Sequence, residues 1–251
     1  MMNDVNKETI VIFGATSAVA QELAKVHAEK GDSMILVARN DSRLKSVADD
    51  LRSRGATQVD SLVNNLEVIS NHPDLIKDIE KMCDDISKYY FFYGTLPDQK
   101  LCENSWEPTN DALTVNFLSV ASLLTHIANK VEKESSRGII AVSSVAGDRG
   151  RQSNYIYGTS KGALSIFLQG LRNRLHKSGN NVTTIKPGFI DTPMTRDFKK
   201  GILWVSPEKV AQDIYTAAIK GKNEIYTPNF WRLIMLIIKS VPEVIFKRLS
   251  L

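Results

Sequence analysis

Thr9-Ile10-Val11-Ile12-Phe13-Gly14-Ala15-Thr16-Ser17-Ala18-Val19-Ala20 is the stretch that decides how this chain folds. Its first five residues are all β-branched or aromatic and predict a short buried strand. Gly14 ends that strand where the lack of a Cβ permits a tight turn. From Ala18 to Lys30, Val19, Leu23, Val26 and His27 recur at helical spacing until Gly31 stops the run. The alternation then repeats. Met34–Ala38 predicts a strand, Ser42–Leu51 a helix, Val59 to Leu66 a third strand and Leu75–Ile86 another helix. Tyr89–Phe92, Gly138–Ser143 and Val182–Lys186 predict further strands, separated by helices over Ala112–Lys133 and Ser160–His176. Such an order implies an α/β fold, a Rossmann-like doubly wound parallel sheet of about seven strands with helices on both faces. Ligands bind at the carboxyl ends of the strands in such a sheet, where Gly14, Arg39, Gly94, Ser144 and Pro187-Gly188 fall.

The 251 residues are 43% hydrophobic, enough for a substantial core, and no linker-like run divides them. We expect a catalytic domain over residues 1–228 and an apolar, basic helical tail over 229–251. The net charge of +4 is too small and dispersed to argue for nucleic acid, although residues 222–251 hold five Lys/Arg against two Glu. Cys83 and Cys102 match neither a disulfide framework nor a metal cluster. His27, His72, His126 and His176 share no spacing and no carboxylate partners of metal type, so no metal is expected and surface or helix positions are. The start, Met1 to Glu8, is polar, and the longest apolar run, Phe230 to Ile238, is interrupted by Arg232. These features predict a reduced, cytoplasmic chain that does not span a membrane.

Several residues carry candidate chemistry. The turn after Gly14 brings the backbone N–H groups of Thr16, Ser17, Ala18 and Val19, at a helix start, toward a dinucleotide pyrophosphate. Ala38-Arg39-Asn40 lacks the acid that holds a ribose 2'-hydroxyl, and the Arg39 guanidinium suits a 2'-phosphate, which favours NADP(H) over NAD(H). Asn65 is placed to bond the adenine amino group. In Tyr157-Gly158-Thr159-Ser160-Lys161, Tyr157 is the expected general acid, with the Lys161 ammonium one helical turn away lowering the phenol pKa. Ser144, thirteen residues upstream, is placed to donate to a substrate carbonyl, and Asn116 to hold a water linking Lys161 to solvent. A turn hydroxyl or a polar helix residue is the plainer account of each alone. As an ordered set they point to reduction of a ketone by a nicotinamide.

This set resembles the short-chain dehydrogenase/reductase family over about residues 9–228, with Asn116, Ser144, Tyr157 and Lys161 at the family's catalytic positions. Pro187-Gly188-Phe189-Ile190-Asp191-Thr192 is similar to the family's Pro-Gly-x-x-x-Thr segment, which implies that Ile190 and Thr192 contact the nicotinamide carboxamide. Two departures stand out. Ala18 and Ala20 replace glycines of the turn, and Phe92-Tyr93-Gly94-Thr95 replaces Asn-Asn-Ala-Gly, so that Tyr93 and Gly94 take the place beside the adenine ribose. That replacement, together with Ser144 to Arg149, Asn154 to Gly158 and Pro242 to Leu249, is similar to the subgroup containing the mycobacterial decaprenylphosphoryl-2-keto-pentose reductase. The subgroup implies NADH and a keto-sugar on a polyprenyl phosphate, so cofactor preference stays open between NAD(H) and NADP(H).

The segment Phe230 to Ile238 is apolar nearly all round as a helix, with Arg232, Lys239, Lys247 and Arg248 about it. It suits peripheral contact with the inner face of the cytoplasmic membrane, or packing on the protein's own core or a second subunit. Met194 to Trp204 is expected to be a substrate lid. The helices near Ala112–Lys133 and Ser160–His176 are expected to pair copies into a homodimer or homotetramer. Two rival functions remain: reduction of a soluble ketoacyl thioester or small ketone, and a non-catalytic dinucleotide sensor.

Overall fold

A computed structural model describes residues 7–249; Met1–Asn6, Ser250 and Leu251, the ends of the expected polar start and of the tail, lie outside the described residues. The strands are β1 (Thr9–Phe13), β2 (Ser33–Ala38), β3 (Val59–Val63), β4 (Lys88–Phe91), β5 (Gly138–Val142), β6 (Asn181–Pro187), β7 (Phe189–Ile190), β8 (Trp204–Val205) and β9 (Glu224–Thr227). The helices are α1 (Ala18–Ala28), α2 (Asp41–Ser53), α3 (His72–Met82), α4 (Gln99–Asn104), α5 (Trp106–Leu113), α6 (Ser119–Val131), α7 (Tyr155–Leu175), α8 (Pro207–Ile219), α9 (Trp231–Ser240) and α10 (Glu243–Phe246). Seven strands form one parallel sheet in the order β3-β2-β1-β4-β5-β6-β9, and β7 pairs with β8 apart from it. The chain reverses direction across the sheet between β1 and β4, which opens a crevice at their carboxyl ends.

Alternation along the strands splits the core in two. Val11, Phe13, Ile35, Phe91 and Ala141 face α3, α6 and α7, while Ile10, Ile12, Leu36, Tyr90 and Ile140 face α1, α2 and α8. All ten are buried, as expected for strands covered on both faces. Helix starts are set by local side chains. The Ser17 hydroxyl accepts from Ala20 N–H at 3.3 Å to open α1, and Asn40 Oδ1 accepts from Arg43 N–H at 2.9 Å to open α2.

The helix expected over Ala112–Lys133 is instead a composite. Between α5 and α6, Thr114–Leu118 winds as a π turn in which Ser119 N–H reaches the Thr114 carbonyl. The whole stretch Trp106–Val131 is long and apolar enough to cross a membrane by composition. Its apolar face, including Leu123, Leu124, Ile127 and Val131, is buried in the core. His27, His72 and His126 lie on helices, as expected, but two of them are not at the surface. His27 and His72 are fully buried, and His27 does have a carboxylate partner. Its Nδ1 lies 2.6 Å from Asp32 Oδ2 and its Nε2 3.2 Å from the Tyr90 hydroxyl. Glu8 joins this group, but its N–H donates to Asp32 and its carboxylate pairs with Lys88. Ring nitrogens and carboxylates are thus engaged with protein, and the cluster braces the amino-terminal ends of β1, β2 and β4, opposite the crevice.

The tail folds back on the domain. Trp231 and Met235 of α9 are buried against Val145, and Arg149 Nη1 donates to the Ile238 and Val241 carbonyls at 2.6 Å each. Arg149 also pairs with Glu243 at 3.0 Å and lies 3.6 Å above the Phe246 ring. The opposite side of α9 and α10, with Leu233, Leu236, Ile237, Val244 and Ile245, is exposed. The expected all-round apolar helix therefore divides into a docked face and a bare one.

Candidate active site

A cavity of about 1030 Å³ opens at the carboxyl ends of the strands. On one side it is lined by Thr16, Ser17, Ala18 and Val19, the turn after β1 and the first residues of α1. A helix start leaves its first N–H groups without intrahelical acceptors, so this wall offers donors to an anion. Gly14 behind it has φ +78, and a Cβ there would lie 2.7 Å from Tyr93 N. The turn thus needs glycine both for its backbone and for its approach to the next strand. Ala20, by contrast, is packed without exposure between α1 and the sheet, so the third glycine position tolerates a methyl.

The four expected catalytic residues meet in this cavity. Ser144 follows β5, with its hydroxyl accepting from Ala146 N–H at 3.1 Å. Helix α7 brings Tyr157 and Lys161 beneath it, and close packing fixes the distance. A Cβ on Gly158 would lie 2.8 Å from the Ala146 carbonyl oxygen, and one on Gly147 2.6 Å from Gly162 N. Ser143 ties the same strand end to α7, donating to the Lys161 carbonyl at 2.9 Å.

Electrostatics give the pair different roles. Burial pushes the Tyr157 phenol above its ordinary value, with the Ser144 hydroxyl acting in the opposite sense. The expected depression by Lys161 does not dominate, because Lys161 Nζ donates to the Val142 carbonyl at 3.0 Å and lies 5.9 Å from the Tyr157 ring centre. Burial pushes Lys161 itself down to about 8. A neutral phenol near an ammonium that gives up its proton more readily than an exposed lysine is suited to deliver and relay a proton. Asn116 sits in the π turn, with Oδ1 accepting from Thr95 N–H at 2.8 Å and Nδ2 donating to the Thr95 carbonyl at 2.9 Å. Its side chain thereby braces the loop after β4.

The remaining expected positions divide. Tyr93, Gly94, Pro187, Gly188, Ile190 and Thr192 line the cavity, whereas Arg39 and Asn65 do not. Arg39 is exposed and pairs with Glu67 at 3.0 Å, and Asn65 Oδ1 accepts from Glu67 N–H at 3.2 Å. This surface pair is a contact across loops that sequence spacing does not reveal. Arg43, one helical turn along α2, lines the cavity instead and donates to the Thr16 carbonyl at 3.3 Å. Its signal was a second arginine four positions after the first. From the expected lid, Met194, Phe198 and Trp204 line the cavity, and Phe189 stacks on Trp204 at 5.3 Å between ring centres. Lys200 is turned away, paired with Asp191 at 2.5 Å.

Residues 8–202 match the family model described as short chain dehydrogenase. An uncharacterized oxidoreductase of Mycobacterium tuberculosis (strain ATCC 25618 / H37Rv) is 30% identical over 248 residues, 99% of each chain. One of Staphylococcus epidermidis (strain ATCC 35984 / DSM 28319 / BCRC 17069 / CCUG 31568 / BM 3577 / RP62A) is 30% identical over 194 residues, 77% of this chain and 83% of the relative. Among solved structures, a short-chain dehydrogenase from Sphingobium yanoikuyae in complex with NADPH superimposes with a TM-score of 0.80 at 19% identity, covering 94% of this chain and 97% of that one. The actinorhodin polyketide ketoreductase with NADPH gives 0.77 at 18% identity, covering 88% and 95%. With the fold, the cavity and these relatives in agreement, the chain belongs to the short-chain dehydrogenase family and is an oxidoreductase.

Proposed function

We propose that the protein is an NAD(P)H-dependent ketoreductase whose substrate is a keto-sugar linked to a polyprenyl phosphate. The observation that carries the reductase reading is the meeting of Ser144, Tyr157 and Lys161 in one cavity whose other wall is a helix start. The walls fit a dinucleotide. Thr16 to Val19 take the pyrophosphate, Arg43 is available to a 2'-phosphate, and Pro187, Gly188, Ile190 and Thr192 flank the nicotinamide end. Arg43 supports NADP(H), while NAD(H) remains the alternative implied by the subgroup. Bound there, the reduced nicotinamide supplies a hydride.

The chain's own residues supply the rest. Ser144 donates a hydrogen bond to the carbonyl oxygen and polarises it. Tyr157, held neutral by burial, gives its phenolic proton to that oxygen as negative charge develops. Lys161 restores the proton, since burial makes its ammonium a readier donor than an exposed lysine.

The lipid-linked substrate is supported by the bare face of α9 and α10, whose docked side meets Phe189 of the cavity wall through Trp231. The indole packs edge-on against Phe189 at 5.3 Å, and a Cβ on Gly188 would lie 1.8 Å from its Nε1. Arg232, Lys239, Lys247 and Arg248 accompany the exposed apolar side chains and suit an anionic lipid surface. A homodimer or homotetramer through the composite helix Trp106–Val131 and α7 is supported by the exposed Leu118 and Ile166.

The test follows NADPH and NADH absorbance with a polyprenylphosphoryl keto-pentose in anionic vesicles and, separately, a soluble ketoacyl thioester. Turnover of the lipid-linked sugar that is lost in Tyr157→Phe supports the reading. Turnover of the thioester alone refutes the substrate, and no turnover with intact cofactor binding refutes the reductase.

A further inference from the structure

The part of the cavity away from α1 contains a cation with nothing to balance it. Arg151 stands on the loop between Ser144 and Tyr157 and lines the wall. Its Nε is buried without a hydrogen-bond partner, and among the described residues no carboxylate pairs with its guanidinium. Three residues later, Asn154 occupies the N-cap position of α7 yet makes no side-chain cap bond, and its Oδ1 is likewise buried and unpaired. Asn154 also lines the cavity.

Two buried, unsatisfied polar groups in one wall are unusual, because native interiors almost always supply partners to such atoms. The N-cap position sharpens the point, since an asparagine there ordinarily spends its oxygen on the helix. Here that work is taken by Gln99, whose Oε1 accepts from Ile156 N–H at 3.2 Å. The carboxylate in the cavity wall belongs to Asp98, and its Oδ1 is occupied by the N–H groups of Lys100 and Leu101 at the start of α4. Lys100 adds a second cation to the same wall. Asn154 caps the helix that carries Tyr157 three residues on, and both residues line the cavity.

We propose that Arg151 and Asn154 form a subsite for an oxyanion carried by the substrate, a phosphate or a carboxylate, in the cavity that also holds Tyr157. The guanidinium donates to the oxyanion, and Asn154 Oδ1 accepts from a hydroxyl beside it. This specifies the substrate of the reductase proposed above and rests on that reading for the position of the carbonyl. Neutral ketones would leave the guanidinium desolvated and unpaired, so the subsite selects against them.

Binding tests the subsite independently of turnover. The full-length protein saturated with NADP+ is titrated calorimetrically with ribose, ribose 5-phosphate and gluconate, alongside Arg151→Gln, Arg151→Lys and Asn154→Ala. The charged probes should bind at least about ten-fold tighter than ribose, a gap of about 1.4 kcal/mol. Ribose 5-phosphate above gluconate identifies a phosphate subsite, and the reverse a carboxylate one. Arg151→Gln should erase the preference and Arg151→Lys retain part of it, while NADPH affinity stays within about two-fold, since the cofactor phosphates bind the opposite wall. Equal affinity for ribose and the charged probes, no binding by either charged probe, or undiminished preference in Arg151→Gln would each overturn the subsite. If the preference holds and no ketone is reduced, the subsite stands and the reductase reading falls.

Discussion

Gly94→Ala should cripple the site through a single methyl group. A Cβ at position 94 would lie 2.6 Å from Asn116 Oδ1 and 3.5 Å from Lys161 Nζ. Asn116 is fully buried and held at both ends by the Thr95 main chain, at 2.8 and 2.9 Å, so it has little room to yield. Moving it loses two hydrogen bonds and leaves buried polar atoms unpaired, a cost of about 2–4 kcal/mol. For a chain of this size that corresponds to a fall in melting temperature of roughly 5–15 °C. Differential scanning calorimetry with and without NADPH measures both the fall and the cofactor-induced rise. Gly170→Ala is the control, because nothing lies within 4 Å of a Cβ there and the residue is inside α7. It should raise stability by up to about 1 kcal/mol through helix propensity. Wild-type melting and an undiminished NADPH shift in Gly94→Ala would refute the argument that glycine at this position makes space for Asn116 and Lys161.

Three further substitutions probe the other parts of the structure. Lys161 has its pKa pushed down by burial to about 8, so below that pH the folded state bears the cost of a buried ammonium, and the cost is relieved as pH rises toward the unfolded value. Lys161→Gln should therefore melt higher than wild type at pH 7 by the equivalent of about 2–3 kcal/mol, with the difference shrinking between pH 8 and about 10; a gap that does not change with pH would contradict the assignment. Lys186 bridges Asp148 and Glu224 at 2.8 Å each, and Tyr226 donates to Asp148 at 2.6 Å, so Lys186→Met should cost about 3–5 kcal/mol in chemical denaturation by leaving Asp148 buried without its cation. Arg149→Ala removes the donors that hold the end of α9, and hydrogen exchange should rise by about ten-fold or more through α9 and α10 while β1 and β4 keep their protection; unchanged exchange would show that Trp231 alone anchors the tail.

Much of the fold is legible in the sequence because its signals are local. Thr9–Phe13 and Met34–Ala38 are continuous apolar runs ended by turn residues, and the helices between them repeat at 3.6-residue spacing. Those signals are enough to predict a parallel sheet with helices on both faces, and the sheet rule then puts Gly14, Gly94, Ser144 and Pro187-Gly188 at the carboxyl ends of the strands. The π turn that carries Asn116 leaves no such periodic trace, since one extra residue in a helix scarcely disturbs an apolar stripe.

Contacts between distant segments decided the remainder. Arg39 and Arg43 look alike in sequence, yet Glu67, 28 positions from Arg39, draws one away while the other lines the cavity. His27 bonds the Tyr90 hydroxyl, 63 positions away, only because α1 packs against β4. The tail's character was ambiguous for the same reason. Composition made Phe230 to Ile238 greasy and basic, but only its meeting with Gly188, Val145 and Arg149 separated a docked face from a bare one. Local pattern fixes which elements form, because hydrogen bonding and side-chain periodicity act over a few residues. The partners of Arg39 and Arg149, and the side of the tail that is covered, are set by the packing of segments far apart in the chain.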